Sequence, residues 1–239
     1  MNNAIVIIPT FNEIENIEAI LRAVFKADEL FHVLVVDDNS PDGTANKVIE
    51  LQKEFSGKLF LEIRKEKSGL GTAYIHGFKW CLSRQYDFIF EMDADFSHNP
   101  KDLNRLLDAC QNGADLAIGS RYVKGVNVVN WPLGRILLSY GASIYVKLIT
   151  GMRIKDPTAG FICYKRKVLE TINLDEIKFV GYAFQIEMKY KAYLKKFKIV
   201  EIPIIFTDRI KGQSKMSGNI ISEAVIGVLK LRIDSLLSK

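Results

Sequence analysis

Residues 88–100 read FIFEMDADFSHNP. A short apolar run, Phe88 to Phe90, passes through Glu91 and Met92 into two aspartates, Asp93 and Asp95, separated only by Ala94. An apolar run of this length bounded by turn residues is the pattern of a strand buried on both faces, as in a parallel sheet. Two carboxylates at its end destabilise each other unless a cation or a shared proton relieves them. Three arrangements would do so or explain them otherwise: an acid/base pair, caps of a following helix, or ligands for a hard divalent ion. Asp102 stands ready for the next helix, so capping by 93 and 95 is unnecessary. Mg2+ and Mn2+ favour a few carboxylates and leave positions open for water and substrate phosphate. Asp-x-Asp alone is a short motif that recurs by chance, and its place after FIFEM is what gives it weight.

The same alternation extends in both directions from this stretch. AIVII (4–8) reads as a first buried strand stopped by Pro9. Asn12 and Glu15 then resemble a capping box ahead of a helix carrying Ile14, Ile17, Leu21 and Val24. HVLVVDD is a second strand ending in the turn NSPDGT, with Asp42 or Thr44 as the cap of the next helix. LFLEIRK, DFIFEMDAD and ADLAIGSRY supply the third, fourth and fifth strands, with helices between them. Such alternation predicts an α/β fold with a mainly parallel central sheet and helices on both faces. Ligands of open sheets collect at the carboxyl ends of the strands. There the sequence places Pro9 to Glu13, Asp37 and Asp38, Lys65 to Gly71, Asp93 to Asp95, and Gly119 to Arg121.

After residue 125 the pattern changes. NWPLGRILLSYGASIYVKLITG joins Trp-Pro to an apolar helical segment, DPTAGFICYKR supplies a turn and a strand, and IVEIPIIF is strand-like. Residues 182–197 read as a helix, and 219–237 as a final helix with an apolar stripe. That stripe reads either as core packing or as contact with a membrane surface.

The bulk properties exclude several classes. The chain has 239 residues, 48% hydrophobic and 26% charged, which suits one large α/β domain. No uncharged run is long enough to span a bilayer, and MNNAIVIIPTFNE lacks the basic start of a signal peptide. Three widely spaced cysteines argue against a disulfide framework and for a reducing, cytoplasmic setting. Residues 189–239 hold eleven Lys and Arg against four Asp and Glu, which points to an anionic partner or to a solvated helix face. Gly69-Leu70-Gly71 lacks the third glycine of a dinucleotide fingerprint, and no phosphate-loop or nucleic-acid reader motif is present.

Taken together, IPTFNE (8–13), VVDDNSPDGT (35–44), GLGTA (69–73), MDADFSHNP (92–100), GSRYVKG (119–125), WPLGR (131–135), DPTAGF (156–161), GYAFQIEM (181–188) and FTDRIKGQSKM (206–216) resemble the dolichyl-phosphate mannose synthases. These are the polyprenol-phosphate mannosyltransferase branch of the inverting family-2 glycosyltransferases. The resemblance runs to about residue 218. It implies a GT-A fold over 1–239, with a nucleotide-sugar half (1–125) and an acceptor, membrane-facing half (126–239) that ends in amphipathic helices. It also implies GDP-mannose as donor, Mg2+ or Mn2+, and a polyprenyl phosphate acceptor at the cytoplasmic membrane face.

By position the resemblance gives Pro9, Thr10, Glu13 and Asp38 to the nucleoside, with Lys65, Gly71 and Ala94 on the donor side. Asp93 and Asp95 would serve the donor and the metal, with Asp95 the metal ligand and Asp93 nearer the ribose or sugar. Some relatives have Gln where this chain has Ser97. Arg121, Arg135, Ser139 and Arg209 would bind the acceptor phosphate, and Lys211 and Lys215 would close over the donor. Trp131, Leu133, Ile136, Leu137 and Leu138 would meet the first isoprenes. The chain stops at Lys239 and so resembles the short branch, which reaches the membrane through surface helices or an anchoring subunit. A UDP-glucose-dependent enzyme on the same scaffold, and a non-catalytic nucleotide-sensing or nucleic-acid-binding module, are the rival readings.

Overall fold

A computed structural model describes residues 3–209 and 218–237, with Tyr182 and residues 218–224 in backbone only. Strand β1 (Ala4–Thr10), helix α1 (Ile17–Ala27), β2 (Phe31–Asp37), α2 (Thr44–Gln52), β3 (Leu59–Ile63), α3 (Leu70–Leu82), β4 (Phe88–Glu91), α4 (Asp102–Gln111) and β5 (Leu116–Ser120) alternate as the apolar runs predict. A short β6 (Val128–Val129), α5 (Leu133–Thr150), β7 (Ile162–Lys165), α6 (Arg166–Thr171), α7 (Tyr182–Leu194), β8 (Ile199–Pro203), β9 (Phe206–Thr207) and α8 (Gly218–Leu237) follow. The seven-stranded sheet has the order β3-β2-β1-β4-β7-β5-β8, and β7 runs antiparallel to both of its neighbours. A separate pair, β6 and β9, lies parallel beside it.

Alternate residues of the strands feed two apolar layers. Ile5 and Ile7 pack with Tyr74 and Phe78 of α3 on one face, while Val6 and Ile8 pack with Ile17, Leu21 and Val24 of α1 on the other. Both faces of β1 are therefore dry, which is why its sequence is apolar without alternation.

Four local expectations need correction. Pro9 does not stop the first strand but pairs with Val36 inside it. The Ile7 carbonyl accepts from Met92 and the Thr10 carbonyl from Asp38, so odd residues of β1 face β4. Pairing with β4 ends at Ile7, and Pro9 thus lacks its N–H where no ladder bond is required. The Asn12/Glu15 box does not form. The amides of Asn12, Glu13 and Ile14 donate to Ser40 Oγ, Thr44 Oγ1 and Asp42 Oδ2 instead, so this loop is knitted to the turn after β2 and α1 begins at Ile17. The second helix carries Gly43 at its cap position, and Asp42 turns back to accept from the Thr44 amide and hydroxyl. IVEIPIIF breaks in two, because beyond Ile204 the chain leaves β5, and the Phe206 amide donates to Asn127.

The parallel strands bring the carboxyl ends of β2, β1, β4 and β5 to one rim. Antiparallel β7 begins at the same rim, since Ile162 pairs with both Glu91 and Ile118. The turn before it, residues 156–160, is thereby placed beside Arg121. From β2 to β5 the rim spans four inter-strand steps, ~19 Å at ~4.8 Å each.

Candidate active site

At the β1–β2 end, Asp37 is fully buried and accepts from the Thr10 hydroxyl (2.7 Å), the Ser40 amide (2.8 Å) and the Ser40 hydroxyl (2.7 Å). It holds the loops together. Its neighbour Asp38 receives a two-pronged contact from Arg64, Nε at 2.6 Å and Nη2 at 2.8 Å, and Arg64 Nη1 reaches Thr72 Oγ1 at 2.7 Å. Arg64 was not singled out from the sequence, although it sits where β3 ends among other strand-end polar residues. Glu13 accepts from the Asn16 side chain, and the Lys65 carbonyl accepts from Asn39. Gly71 has a packing reason for its identity. Its amide donates to Val180, and a Cβ there would lie 2.8 Å from the Phe184 ring.

The aspartate pair lies beyond the end of β4, in a turn where Phe96 takes φ +60°. Asp95 Oδ1 accepts from the Ser97 amide at 3.0 Å, and Oδ2 faces Arg209 Nη2 at 3.3 Å. Ala94 is buried between the two acids. Desolvation, then the Asp95 charge, pushes the Asp93 carboxyl well above the usual carboxylate range. Among the described residues no group of three or more His, Cys, Asp or Glu side chains is arranged to hold a metal. The pair fits Mg2+ or Mn2+ nonetheless. It collects negative charge that one arginine already answers in part, and such ions are commonly held by one or two carboxylates together with substrate phosphates.

Beneath the pair, Glu91 is fully buried and accepts from Tyr164 and Gln185. Burial pushes its carboxyl up to about 7, opposed by the Gln185 hydrogen bond and the Lys189 charge. Lys189, also fully buried, donates to the Ala159 and Gln185 carbonyls and to Gln185 Oε1. This network ties α7 to the end of β4 and to the turn before β7. His98 is buried too, stacked on Phe161 at 4.9 Å and edge-on to Phe206 at 5.3 Å, and desolvation holds its imidazole neutral.

Toward β5 the three candidate arginines each meet a carboxylate, in very different settings. Arg121 donates Nε to Asp156 Oδ2 at 2.7 Å and Nη2 to Oδ1 at 2.6 Å and to Thr158 at 2.7 Å. Its side chain is 9% exposed and that of Asp156 0%. Arg135 Nη1 bridges both oxygens of Asp208 at 2.9 Å, and the guanidinium carbon lies 4.1 Å from the centre of the Trp131 ring. That pair is far more open, at 29% and 26%. Arg209 is 26% exposed where it meets Asp95. Ser139 accepts from the Tyr122 hydroxyl at 2.8 Å. Asp156 and Asp208 were not identified from sequence as partners of these arginines. Lys211 and Lys215 lie outside the described residues.

Helices α5 and α8 flank this side. Leu133, Leu137, Leu138, Ile144 and Leu148 of α5 are exposed, as are Ile226, Leu229, Ile233 and Leu237 of α8. Only Ser143, Val146 and Thr150 of α5 are buried, so this segment is not chiefly core packing. No helix among the described residues is long and apolar enough to cross a membrane.

Residues 5–172 match the model of glycosyl transferase family 2. The chain belongs to that family. It is 48% identical over 235 residues to the polyprenol monophosphomannose synthase of Mycolicibacterium smegmatis, covering 98% of this chain and 89% of that protein. It is 46% identical over 224 residues to the undecaprenyl-phosphate mannosyltransferase of Micrococcus luteus, covering 94% and 91%. The dolichol-phosphate mannosyltransferase of Pyrococcus furiosus is 39% identical, and the match spans 95% of this chain but 62% of that longer one. Among solved structures, a glucosyl-3-phosphoglycerate synthase from Mycobacterium tuberculosis in complex with Mn2+, UDP-glucose and phosphoglyceric acid superimposes with a TM-score of 0.72 at 15% identity, covering 97% of this chain and 80% of that one. That likeness establishes the GT-A fold. The protein is a family-2 glycosyltransferase with an α/β, mainly parallel sheet.

Proposed function

We propose that this glycosyltransferase moves mannose from GDP-mannose to a polyprenyl phosphate with inversion, giving polyprenyl β-mannosyl phosphate and GDP. The observation that carries the proposal is one chain segment. Asp208 holds Arg135 and the adjacent Arg209 reaches Asp95, so cations suited to a phosphate stand beside carboxylates suited to a metal–diphosphate. The names of the relatives at 46% and 48% identity supply the sugar and the lipid class.

The nucleophile in this reading is a phosphate oxygen, already anionic at neutral pH, so no strong general base is required. The site's work is positioning and charge neutralisation. Asp93 and Asp95 would hold Mg2+ or Mn2+, and the ion would supply charge neutralisation for the departing diphosphate. Pro9, Thr10, Glu13 and Asp38 line the nucleoside end, with Asp38 oriented by Arg64 and Lys65 on the donor side. Arg135 and Arg209 grip the acceptor phosphate through forked donors, and Arg121 and Ser139 back them from deeper in the fold. Attack from the face opposite the diphosphate inverts the anomeric carbon. Residues 1–125 form the donor half and 126–239 the acceptor half of one domain. The exposed leucines and isoleucines of α5 and α8, together with the basic C-terminal fifth, rest on the cytoplasmic membrane surface.

Nucleotide choice is tested by thermal unfolding with Mn2+ and either GDP or UDP. Saturation at ~100 times Kd stabilises by about 2.7 kcal/mol, or roughly 5–10 °C for a domain of this size. GDP is expected to give that shift and UDP little. A response to UDP alone would replace the donor assignment with UDP-glucose.

A further inference from the structure

The Asp95–Arg209 contact has a consequence for the order in which the site fills. Asp95 Oδ1 is occupied by the Ser97 amide, and the remaining lobe, Oδ2, is the one that faces Arg209. A divalent ion that took Oδ2, the oxygen without the Ser97 bond, would compete with the guanidinium there. The backbone leading to Arg209 is pinned on several sides. The Phe206 amide donates to Asn127, the Thr207 amide to Ser97 and the Asp208 amide to Val129, while the Arg209 amide donates to Asp208 Oδ1. The element that can change is the Arg209 side chain, which is 26% exposed where it meets Asp95. On the other side of the same segment, Asp208 holds Arg135.

We propose that Arg209 is the resident counter-ion of Asp95, displaced by the divalent cation and handed to the phosphate of the acceptor beside Arg135. One arginine thus serves two anions in sequence, and binding of metal and of a phosphate monoester become positively coupled. Coupling is reciprocal: whatever factor the metal adds to phosphate affinity, the phosphate adds to metal affinity. This inference rests on the reading that the acceptor presents a phosphate, but not on which sugar is transferred.

The test is Mn2+ affinity, read directly by electron paramagnetic resonance on the full chain with and without geranyl phosphate. In the wild type, geranyl phosphate is expected to tighten Mn2+ binding three- to tenfold. Arg209→Gln is expected to bind Mn2+ three- to tenfold more tightly than wild type with no phosphate present, and to lose the phosphate effect. Arg209→Lys should fall between the two. Arg135→Gln, which removes a cation held by Asp208, should leave Mn2+ affinity alone unchanged within twofold. Equal or weaker Mn2+ binding in Arg209→Gln would overturn the proposal, as would a phosphate effect that persists in that variant. An equal gain in Arg135→Gln would do the same, because it would reduce the result to general charge. Absence of mannosyl transfer in the wild type would overturn the functional reading and leave this measurement standing.

Discussion

Asp95→Asn is expected to lower mannosyl transfer by about three orders of magnitude while moving the unfolding temperature by no more than ~2 °C. The asparagine retains an oxygen for the Ser97 amide, so the turn that Asp95 closes keeps its bond. What disappears is the charge on the Oδ2 side, where Arg209 stands and where the proposed divalent ion would bind. Removing one preorganised electrostatic contact to a developing charge commonly costs about 10²–10³ in rate, and a lost metal ligand lies at the upper end. Stability changes little because the asparagine keeps the turn bond inside the fold, and the Arg209 side chain, 26% exposed, reaches water when the buried charge beside it is removed. Initial rates with labelled GDP-mannose, beside a melting curve, check both halves. Activity within tenfold of wild type would remove Asp95 from the mechanism.

Asp156→Ala is expected to act through stability instead, by about 3–5 kcal/mol, or an unfolding temperature lower by roughly 10 °C. The carboxylate is wholly buried and accepts from the Arg121 amide, Nε and Nη2. Its loss leaves the Arg121 guanidinium desolvated against the Tyr122, Trp131 and Phe206 rings without that carboxylate. Asp208→Ala, which breaks the more open pair with Arg135, should cost about 1 kcal/mol or less. The contrast also fixes a pH dependence. Desolvation works to raise the Asp156 carboxyl, but the Arg121 charge and hydrogen bonds outweigh it and hold the group below its ordinary range. A depressed folded value means that this stabilisation is complete above the unfolded aspartate range, near pH 4, and is lost as pH falls through the folded value. The variant should therefore lose less stability on acidification than the wild type. Equal melting temperatures for Asp156→Ala and Asp208→Ala would show that burial does not separate the two pairs.

The parallel core was legible because a strand dry on both faces must be apolar at nearly every position, as in AIVII, VLVV and FIF. The rim was legible for the complementary reason that polar residues follow each run directly. The insertion of β7 between β4 and β5 was not. It depends on pairing between residues 88–91 and 162–165, and ICYK carries nothing that states its direction or its neighbours. The partners of the arginines were hidden in the same way. Asp156 lies 35 positions from Arg121 and Asp208 lies 73 from Arg135, and only the fold brings them together. The start of α1 was misplaced because Asn12 and Glu15 have capping chemistry, whereas the amides concerned are satisfied by the turn after β2 across the chain. The α5 leucines show the remaining limit. An apolar helical stripe reads alike whether it faces a core or a lipid surface, and only exposure separates the two.

In the proposed reaction, carboxylates 93 and 95 would act on the sugar nucleotide through a divalent cation while arginines present an anionic lipid. The most direct measurement incubates chelator-stripped protein with labelled GDP-mannose and a short polyprenyl phosphate, and counts label extracted into organic solvent before and after Mn2+ is restored. Label should stay in water until the ion returns and then pass into the lipid fraction. Transfer at full rate from the stripped protein would contradict the account.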